Sequence, residues 1–126
     1  MSKILIIDDE AAVRGILKFQ LEKAGHEVLE GADGDEALRL ARTSKPDLLF
    51  LDGVLPKKDG WRVCRDLKSD PATKAMPIVL LTSSTQNVDE LRGWESGADE
   101  YLTKPWDPAQ LHDTVKRFLG SAPKPA

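Results

Sequence analysis

The chain has 126 residues, a length that suits one domain with a single hydrophobic core. Its 40% hydrophobic and 31% charged residues are typical of a globular protein, and its net charge of −3 argues against a broad nucleic-acid surface, which is normally basic. The apolar runs fall short of the roughly 20 residues that span a membrane, and the first residues are unlike a signal peptide. Because Cys64 is the only cysteine, no internal disulfide can form, and we expect a protein of the reducing cytoplasm.

The first half of the chain predicts three strands separated by two helices. Ile4–Ile7 is a continuous apolar run, as expected for a strand with both faces covered, and Glu27–Glu30 predicts a weaker strand nearer an edge. Leu48–Leu51 is the most apolar run and predicts the central strand. Gly25 is predicted to end the first helix. The residues at inward-facing helical spacing are Val13, Ile16, Leu17, Leu21 and Ala24 in the first helix and Ala37, Leu38 and Ala41 in the second.

The second half predicts two more strands and three more helices. A third helix is expected over about Gly60–Leu67, followed by a proline-containing loop and by Ile78–Leu81 as the fourth strand. Gly97 is predicted to end a fourth helix, and Tyr101–Leu102 marks a short fifth strand. The predicted inward residues are Val63, Cys64 and Leu67 in the third helix, Val88, Leu91 and Trp94 in the fourth, and Leu111, Val115, Phe118 and Leu119 in the fifth.

Strands that alternate with helices predict an α/β fold. The expected architecture is a (βα)₅ doubly wound, five-stranded parallel sheet whose crossovers are right-handed. The flavodoxin-like strand order 2-1-3-4-5 is the natural candidate for five such units. We predict one domain over residues 1–120, and residues 121–126 as a disordered tail or the start of a linker.

Polar residues follow four of the five predicted strands, at the carboxyl ends where open α/β sheets bind ligands. Taken singly, each has an ordinary structural explanation: aspartates cap helices and form turns, threonine suits strands, and exposed lysines are common. Those explanations do not account for the convergence of all of them at one edge. The residues are Asp8 and Asp9 after the first strand, Asp52 after the third, Thr82 and Ser83 after the fourth, and Thr103, Lys104 and Pro105 after the fifth.

This set of side chains is suited to metal-assisted phosphoryl transfer. Asp8, Asp9 and Asp52 would repel one another until a cation neutralised them. A few hard oxygen ligands suit Mg²⁺ completed by water and a phosphate oxygen, with Mn²⁺ as an alternative. A carboxylate is also a competent nucleophile in aspartyl-phosphate chemistry. The Lys104 ammonium would then neutralise a second oxygen of a transferred phosphoryl group, and either the Thr82 hydroxyl or the amides after Asp52 would bind the third.

These residues and their surroundings resemble the response-regulator receiver (CheY-like) family of two-component signalling. The resemblance implies that Asp52 is the phosphoacceptor and that Asp9 is a direct metal ligand. It also implies that Asp8 acts on the metal through water and that the main-chain carbonyl of Val54 completes the protein ligands. The matching stretches are Ile4–Glu10, Leu49–Pro56 with Asp59 and Gly60, Pro77–Thr82, and Gly97–Pro105.

The resemblance further implies a conformational switch. Lys104 would contact the phosphoryl group, and the peptide bond before Pro105 is a candidate cis peptide. Thr82 and Tyr101 would form the switch pair. From residue type alone Tyr101 is better explained as a half-buried strand aromatic, and the resemblance reverses that preference. Trp106 follows Pro105, and its emission is a candidate reporter of metal or phosphoryl binding.

The resemblance also implies partners. The phosphoryl donor would be a sensor histidine kinase or a histidine phosphotransfer protein. The target would be a downstream protein or output domain that binds the face made by the fourth helix, fifth strand and fifth helix. The chain would be a monomer or a phosphorylation-dependent dimer, with no direct nucleic-acid or membrane partner. It would catalyse only its own phosphorylation and dephosphorylation.

Three other classes compete with this interpretation. A phosphatase of the haloacid dehalogenase type would carry a second aspartate two residues after the nucleophile, where Val54 stands. A flavodoxin-type electron carrier would need a phosphate-binding loop after the first strand, where Asp8, Asp9 and Glu10 would repel a phosphate. A phosphorylation-independent, receiver-like interaction module is the strongest alternative, and the presence of the full set of site residues argues against it.

Overall fold

The structure, a computed structural model, describes residues 2–53, 55, 59–83 and 97–120, with only the backbone described at residue 83. The predicted helix around Val88, Leu91 and Trp94, the carbonyl of Val54 and residues 121–126 lie outside these ranges. The elements of the described ranges are β1 (Lys3–Ile7), α1 (Ala11–Lys23), β2 (Glu27–Gly31), α2 (Gly34–Ser44), β3 (Leu48–Asp52), α3 (Gly60–Ser69), β4 (Ile78–Ser83), β5 (Glu100–Lys104) and α4 (Pro108–Leu119). Helix α4 therefore corresponds to the fifth helix predicted from the sequence.

The strands form one parallel sheet in the order β2-β1-β3-β4-β5, which confirms the predicted architecture. The most apolar run is the central strand β3, and β2 lies at an edge, as predicted. In the register of the sheet, Ile7 pairs with Leu51 and Asp52 pairs with Leu81. Asp8, which follows Ile7, is therefore level with Asp52 across the sheet. This register gives the polar strand ends a common edge.

Two hydrophobic clusters cover the two faces of the sheet. Helices α2 and α3 pack on the face that carries Ile7 and Leu51, and helices α1 and α4 pack on the face that carries Ile6 and Phe50. Because side chains alternate along a strand, the four apolar residues of β1 and those of β3 divide between the two clusters, and all of them are fully buried. Burial on both faces explains why these strands are continuously apolar.

One part of the predicted inward stripe of α1 is wrong. Leu17 and Leu21 are buried, as predicted, but Ile16 is 54% exposed and Ala24 is also exposed. Successive helical residues are separated by about 100°, so Ile16 cannot share the narrow buried stripe of Leu17 and Leu21. Phe19 is 67% exposed for the same reason.

The ends of the helices are defined by local chemistry. Helix α1 ends at Lys23, and Gly25 follows with φ +97, the left-handed conformation that glycine adopts without strain. At the start of α2, the N-cap residue Asp33 accepts the Glu36 N–H at 2.9 Å through Oδ1, and Glu36 Oε1 accepts the N–H of the preceding residue, Ala32, at 2.6 Å. In the part of the chain that the structure describes, no helix is long and apolar enough to cross a bilayer.

Candidate functional site

Three carboxylates meet at the carboxyl edge of the sheet. Asp8 is fully buried, Asp52 is nearly so, and Asp9 is exposed. One oxygen from each of the three carboxylates lies within 4.8 Å of the others. Asp8 and Asp52 occupy the α1–α4 face, because each is an even number of residues from Ile6 or Phe50, which belong to the cluster on that face. The predicted acidic cluster is therefore present in the fold.

Lys104 supplies the positive charge of this cluster. Its Nζ lies 2.8 Å from Asp8 Oδ2 and 3.1 Å from Asp52 Oδ2, and 3.6 Å from Glu10 Oε1. Burial of the ammonium lowers the pKa of Lys104, but the hydrogen bond to Asp8 and the charges of Asp52 and Asp8 outweigh it, so the pKa lies above the usual lysine range. The Lys104 side chain is therefore a permanent cation at neutral pH, between the buried Asp8 and the predicted acceptor Asp52.

The backbone and side chain of Asp8 are each held by a separate partner. The Glu10 N–H donates to Asp8 Oδ1 at 2.9 Å, and the Asp8 N–H donates to the Gly31 carbonyl at 3.2 Å. Arg14 Nη1 donates to the Asp8 carbonyl at 2.6 Å. The sequence did not predict roles for Glu10 or Arg14. For Arg14 a signal existed, since a cation near the start of a helix opposes the helix dipole and needs a specific partner.

Gly60 is a third residue whose role was not predicted from the sequence. Its N–H donates to the Gly53 carbonyl at 3.1 Å, immediately after Asp52. A Cβ at Gly60 would overlap the Asp52 carbonyl oxygen and lie 2.7 Å from the Asp52 carbonyl carbon and 2.9 Å from Gly53 Cα. The first turn of α3 thus packs directly on the backbone that carries Asp52. The absence of a side chain is what permits this approach.

The predicted switch residues lie on the face of the sheet that α2 and α3 cover, and Thr82 is one residue beyond Leu81, the register partner of Asp52, at the same carboxyl edge. Thr82 is half-buried and pairs in register with Thr103. Tyr101 is two residues before Thr103 and therefore lies on the same face, where it packs against the α2–α3 cluster. The Lys104–Pro105 peptide bond, the candidate cis peptide, is cis. Trp106 Nε1 donates to Gln20 Oε1 of α1 at 3.0 Å.

The donor set fits a hard divalent cation. The three clustered ligands are all carboxylates, which are the oxygen donors that Mg²⁺ prefers. Asp8 Oδ2 is buried and lies 2.8 Å from the Lys104 ammonium, which is its charged partner. One ammonium shared with Asp52 and Glu10 leaves excess negative charge at this edge of the sheet, which a divalent cation would neutralise. Asp8, Asp9 and Asp52 are the described residues that would hold the ion.

The fold, with this acidic cluster at its carboxyl edge, is that of a response regulator receiver domain, and comparison with known proteins agrees. The family model for the response regulator receiver domain matches residues 4–116, and the chain belongs to that family. It is 43% identical over 117 residues to the alkaline phosphatase synthesis transcriptional regulatory protein PhoP of Bacillus subtilis, an alignment that covers 93% of this chain and 48% of that protein. The chain spans about half the length of the curated relatives it matches.

Solved structures show the same fold. The chemotaxis response regulator CheY4 of Vibrio cholerae is 33% identical, with a TM-score of 0.87 over 94% of this chain and 99% of that one. The receiver domain of a sensor histidine kinase from Pseudomonas aeruginosa is 28% identical, with a TM-score of 0.88 over 95% of this chain and 98% of that one. That second structure has a magnesium ion coordinated in its active-site cleft.

Proposed function

We propose that this receiver domain accepts a phosphoryl group on Asp52 in a Mg²⁺-dependent reaction and changes conformation in response. The observation that carries the proposal is the meeting of Asp8, Asp9 and Asp52 with the Lys104 ammonium at one sheet edge. When bound, Mg²⁺ would neutralise phosphoryl oxygens, and Mn²⁺ could take its place. Side chains of the protein would supply the nucleophile and the other contacts to the phosphoryl group.

In the proposed reaction, an Asp52 carboxylate oxygen attacks the phosphorus of a phosphohistidine in the donor. A new oxygen–phosphorus bond forms, the phosphorus–nitrogen bond breaks, and the imidazole leaves with its electron pair. Lys104, whose Nζ is already 3.1 Å from Asp52, would contact the incoming phosphoryl oxygens. Its raised pKa keeps that contact charged at neutral pH.

The proposed output is a shift between two conformations. A phosphoryl group on Asp52 gives the Thr82 hydroxyl and Lys104 a new anionic partner, which would favour one arrangement of β4 and β5. Tyr101 packs on the same face as Thr82 and would follow that change. The downstream partner would be a protein or an output domain at the face that includes β5 and α4, and the donor a histidine kinase or phosphotransfer protein.

The proposal also covers the compartment, the oligomeric state and the output of the protein. We propose that the protein acts in the cytoplasm, as a monomer or a phosphorylation-dependent dimer, and that it catalyses only its own phosphorylation and dephosphorylation. PhoP of Bacillus subtilis and RpaA of Synechocystis are transcriptional regulators by name. A DNA-binding output attached to this domain would match those relatives, while the domain itself would not contact nucleic acid.

The test is incubation with acetyl phosphate and Mg²⁺ followed by intact-mass analysis. We expect one phosphoryl adduct of about 80 Da (the mass of the added HPO₃ group) that is absent in Asp52→Asn and absent after chelation of the metal. Asp59→Asn is the matched control, because Asp59 lies at the start of α3 close to Asp52 in the sequence, and it should keep the adduct. An unmodified wild-type protein would favour the phosphorylation-independent interaction module.

A further inference from the structure

Arg14 joins three elements next to the acidic cluster. Its Nη1 donates to the carbonyl oxygen of Asp8 at 2.6 Å, and its Nε donates to Glu30 Oε1 at 3.1 Å. The side chain is only 20% exposed. One guanidinium thus connects α1, the end of β1 and the edge strand β2.

The position of Arg14 in α1 is unfavourable for a cation unless specific partners compensate. Arg14 is three residues from the start of the helix, where the positive end of the macrodipole disfavours a cation, and the first turn has no acidic residue. Glu30 compensates the charge from the neighbouring strand. The second contact goes to a neutral carbonyl, so it fixes an orientation and does not neutralise charge. To make both contacts at once, the side chain needs a planar group with several donors, which arginine provides and lysine does not.

The Asp8 carbonyl fixes the plane of the next peptide. The carbonyl of Asp8 and the N–H and Cα of Asp9 belong to one rigid planar unit, so the contact from Arg14 sets the direction in which Asp9 leaves the strand. On its other side, the Asp8 N–H is held by the Gly31 carbonyl at 3.2 Å. Asp9 itself is exposed, so core packing does not orient it.

We propose that Arg14, held by Glu30, is a positioning residue that orients the Asp8–Asp9 peptide so that the Asp9 carboxylate joins the metal cluster. This inference rests on the proposed Mg²⁺ site. Arg14 is not one of the residues that would hold the ion, but its contacts determine their geometry. Arg14 acts through the backbone and does not bind the ion. Residues that orient metal ligands in this way affect metal affinity even though they never contact the metal.

Positioning and charge predict opposite results when Arg14 is removed. Arg14→Ala deletes a positive charge near a cation site, which by electrostatics alone would tighten Mg²⁺ binding or leave it unchanged. If Arg14 orients Asp9, the same substitution must weaken binding, by about tenfold in Kd for a lost outer contact. The direction of the change therefore separates the two effects.

The experiment is titration of the full chain with Mg²⁺ by isothermal calorimetry, at a temperature where circular dichroism shows the variants folded. We expect Arg14→Ala to raise the Kd about tenfold. Lys18→Ala is the matched control, because it removes the same charge from the same helix and also loses an ion pair to Glu30, at 3.3 Å. Lys18→Ala should leave the Kd within about twofold, since exposed ion pairs contribute little.

Arg14→Lys provides a second variant that keeps the charge and changes only the donor geometry. We expect an intermediate rise in Kd, because one ammonium cannot reproduce both contacts of the guanidinium. Unchanged or tighter Mg²⁺ binding in Arg14→Ala and Arg14→Lys would overturn the inference. A rise of the same size in Lys18→Ala would also overturn it. If the wild-type chain itself binds no Mg²⁺, the proposed function fails instead.

Discussion

Substitution of Gly60 by alanine tests how closely α3 packs on β3, the strand that ends at Asp52. The new methyl would overlap the Asp52 carbonyl oxygen and lie 2.7 Å from the Asp52 carbonyl carbon. Ordinary carbon–carbon contacts begin near 3.5 Å, so the contact with the carbonyl carbon alone requires a separation of roughly 0.8 Å, and the overlap with the carbonyl oxygen requires more. Overpacking of this kind costs about 1–3 kcal/mol. At about 4 °C per kcal/mol for a domain of this size, the melting temperature should fall by roughly 4–12 °C.

The same displacement should slow phosphorylation. Gly60 donates its N–H to the Gly53 carbonyl, next to Asp52, so the separation moves the acceptor carboxylate relative to Lys104. Because a misplacement of about 1 Å can cost on the order of 100-fold in rate, we expect at least a tenfold slower reaction with acetyl phosphate. The measurements are thermal unfolding by circular dichroism and the time course of the intact-mass adduct.

Gly15→Ala is the matched control for Gly60→Ala. Gly15 lies in α1, and a Cβ there meets nothing within 4 Å. Alanine should therefore raise the stability by about 0.5–1 kcal/mol through its better helix propensity, with the phosphorylation rate unchanged. If Gly60→Ala matched Gly15→Ala in both measurements, the close approach of α3 to Asp52 would be refuted.

Three further predictions concern charge, pH and capping. Lys104→Met leaves the buried Asp8 carboxylate without its cation and should lower the free energy of unfolding by about 1–3 kcal/mol, measured in urea, with Mg²⁺ restoring more stability than in the wild type. Burial lowers the pKa of His26 below its ordinary 6.5, so the unfolded chain takes up a proton first as the pH falls through 6.5. Stability should therefore decline below that pH, and less steeply in His26→Gln, as urea titrations at pH 7 and pH 5 would show. Asp33→Ala removes the acceptor of the Glu36 N–H and should cost about 1 kcal/mol in urea without changing Mg²⁺ affinity.

Each of these three has a distinct contrary outcome. Equal stabilisation of Lys104→Met and the wild type by Mg²⁺ would mean that the lysine and the metal do not neutralise the same carboxylates. Parallel pH profiles for His26→Gln and the wild type would show that this imidazole does not contribute to acid destabilisation. A change in Mg²⁺ affinity in Asp33→Ala would show that the cap of α2 is coupled to the site.

Most of the fold could be predicted from the sequence because burial on both sides leaves a plain pattern. Ile4–Ile7 and Leu48–Leu51 are continuously apolar, whereas a strand with one face in solvent normally alternates apolar and polar residues. Gly25 could be identified as a helix stop because its left-handed backbone is one that glycine favours. Ile16 could not be placed, because two apolar residues in succession, Ile16 and Leu17, leave open which of them faces the core. Only the direction in which α1 lies across the sheet decides that.

The residues of the candidate site could be predicted from the sequence, but the residues that hold them in position could not. Asp52 and Lys104 are the last residues of β3 and β5, and the rule that ligands bind at strand ends is enough to bring them together. The contacts of Arg14 and the fit of Gly60 depend on how a helix approaches a strand end, to within an ångström. Hydrophobic periodicity carries no information at that scale. The place of Arg14 near the start of a helix indicates that it needs a partner, but the sequence does not show which partner, and Gly60 carries no comparable signal.

The ion pair between Lys104 and Asp52 joins positions 52 residues apart, and the two lie on strands separated by β4. Such a contact closes only after β4 has paired with β3 and β5 has paired with β4, which places it among the non-local, late contacts of folding. A partly folded chain would therefore present separate aspartates without the lysine. Under the proposed function, Asp52 would have its full set of partners only when the last strand is in place, so phosphorylation would report on complete folding.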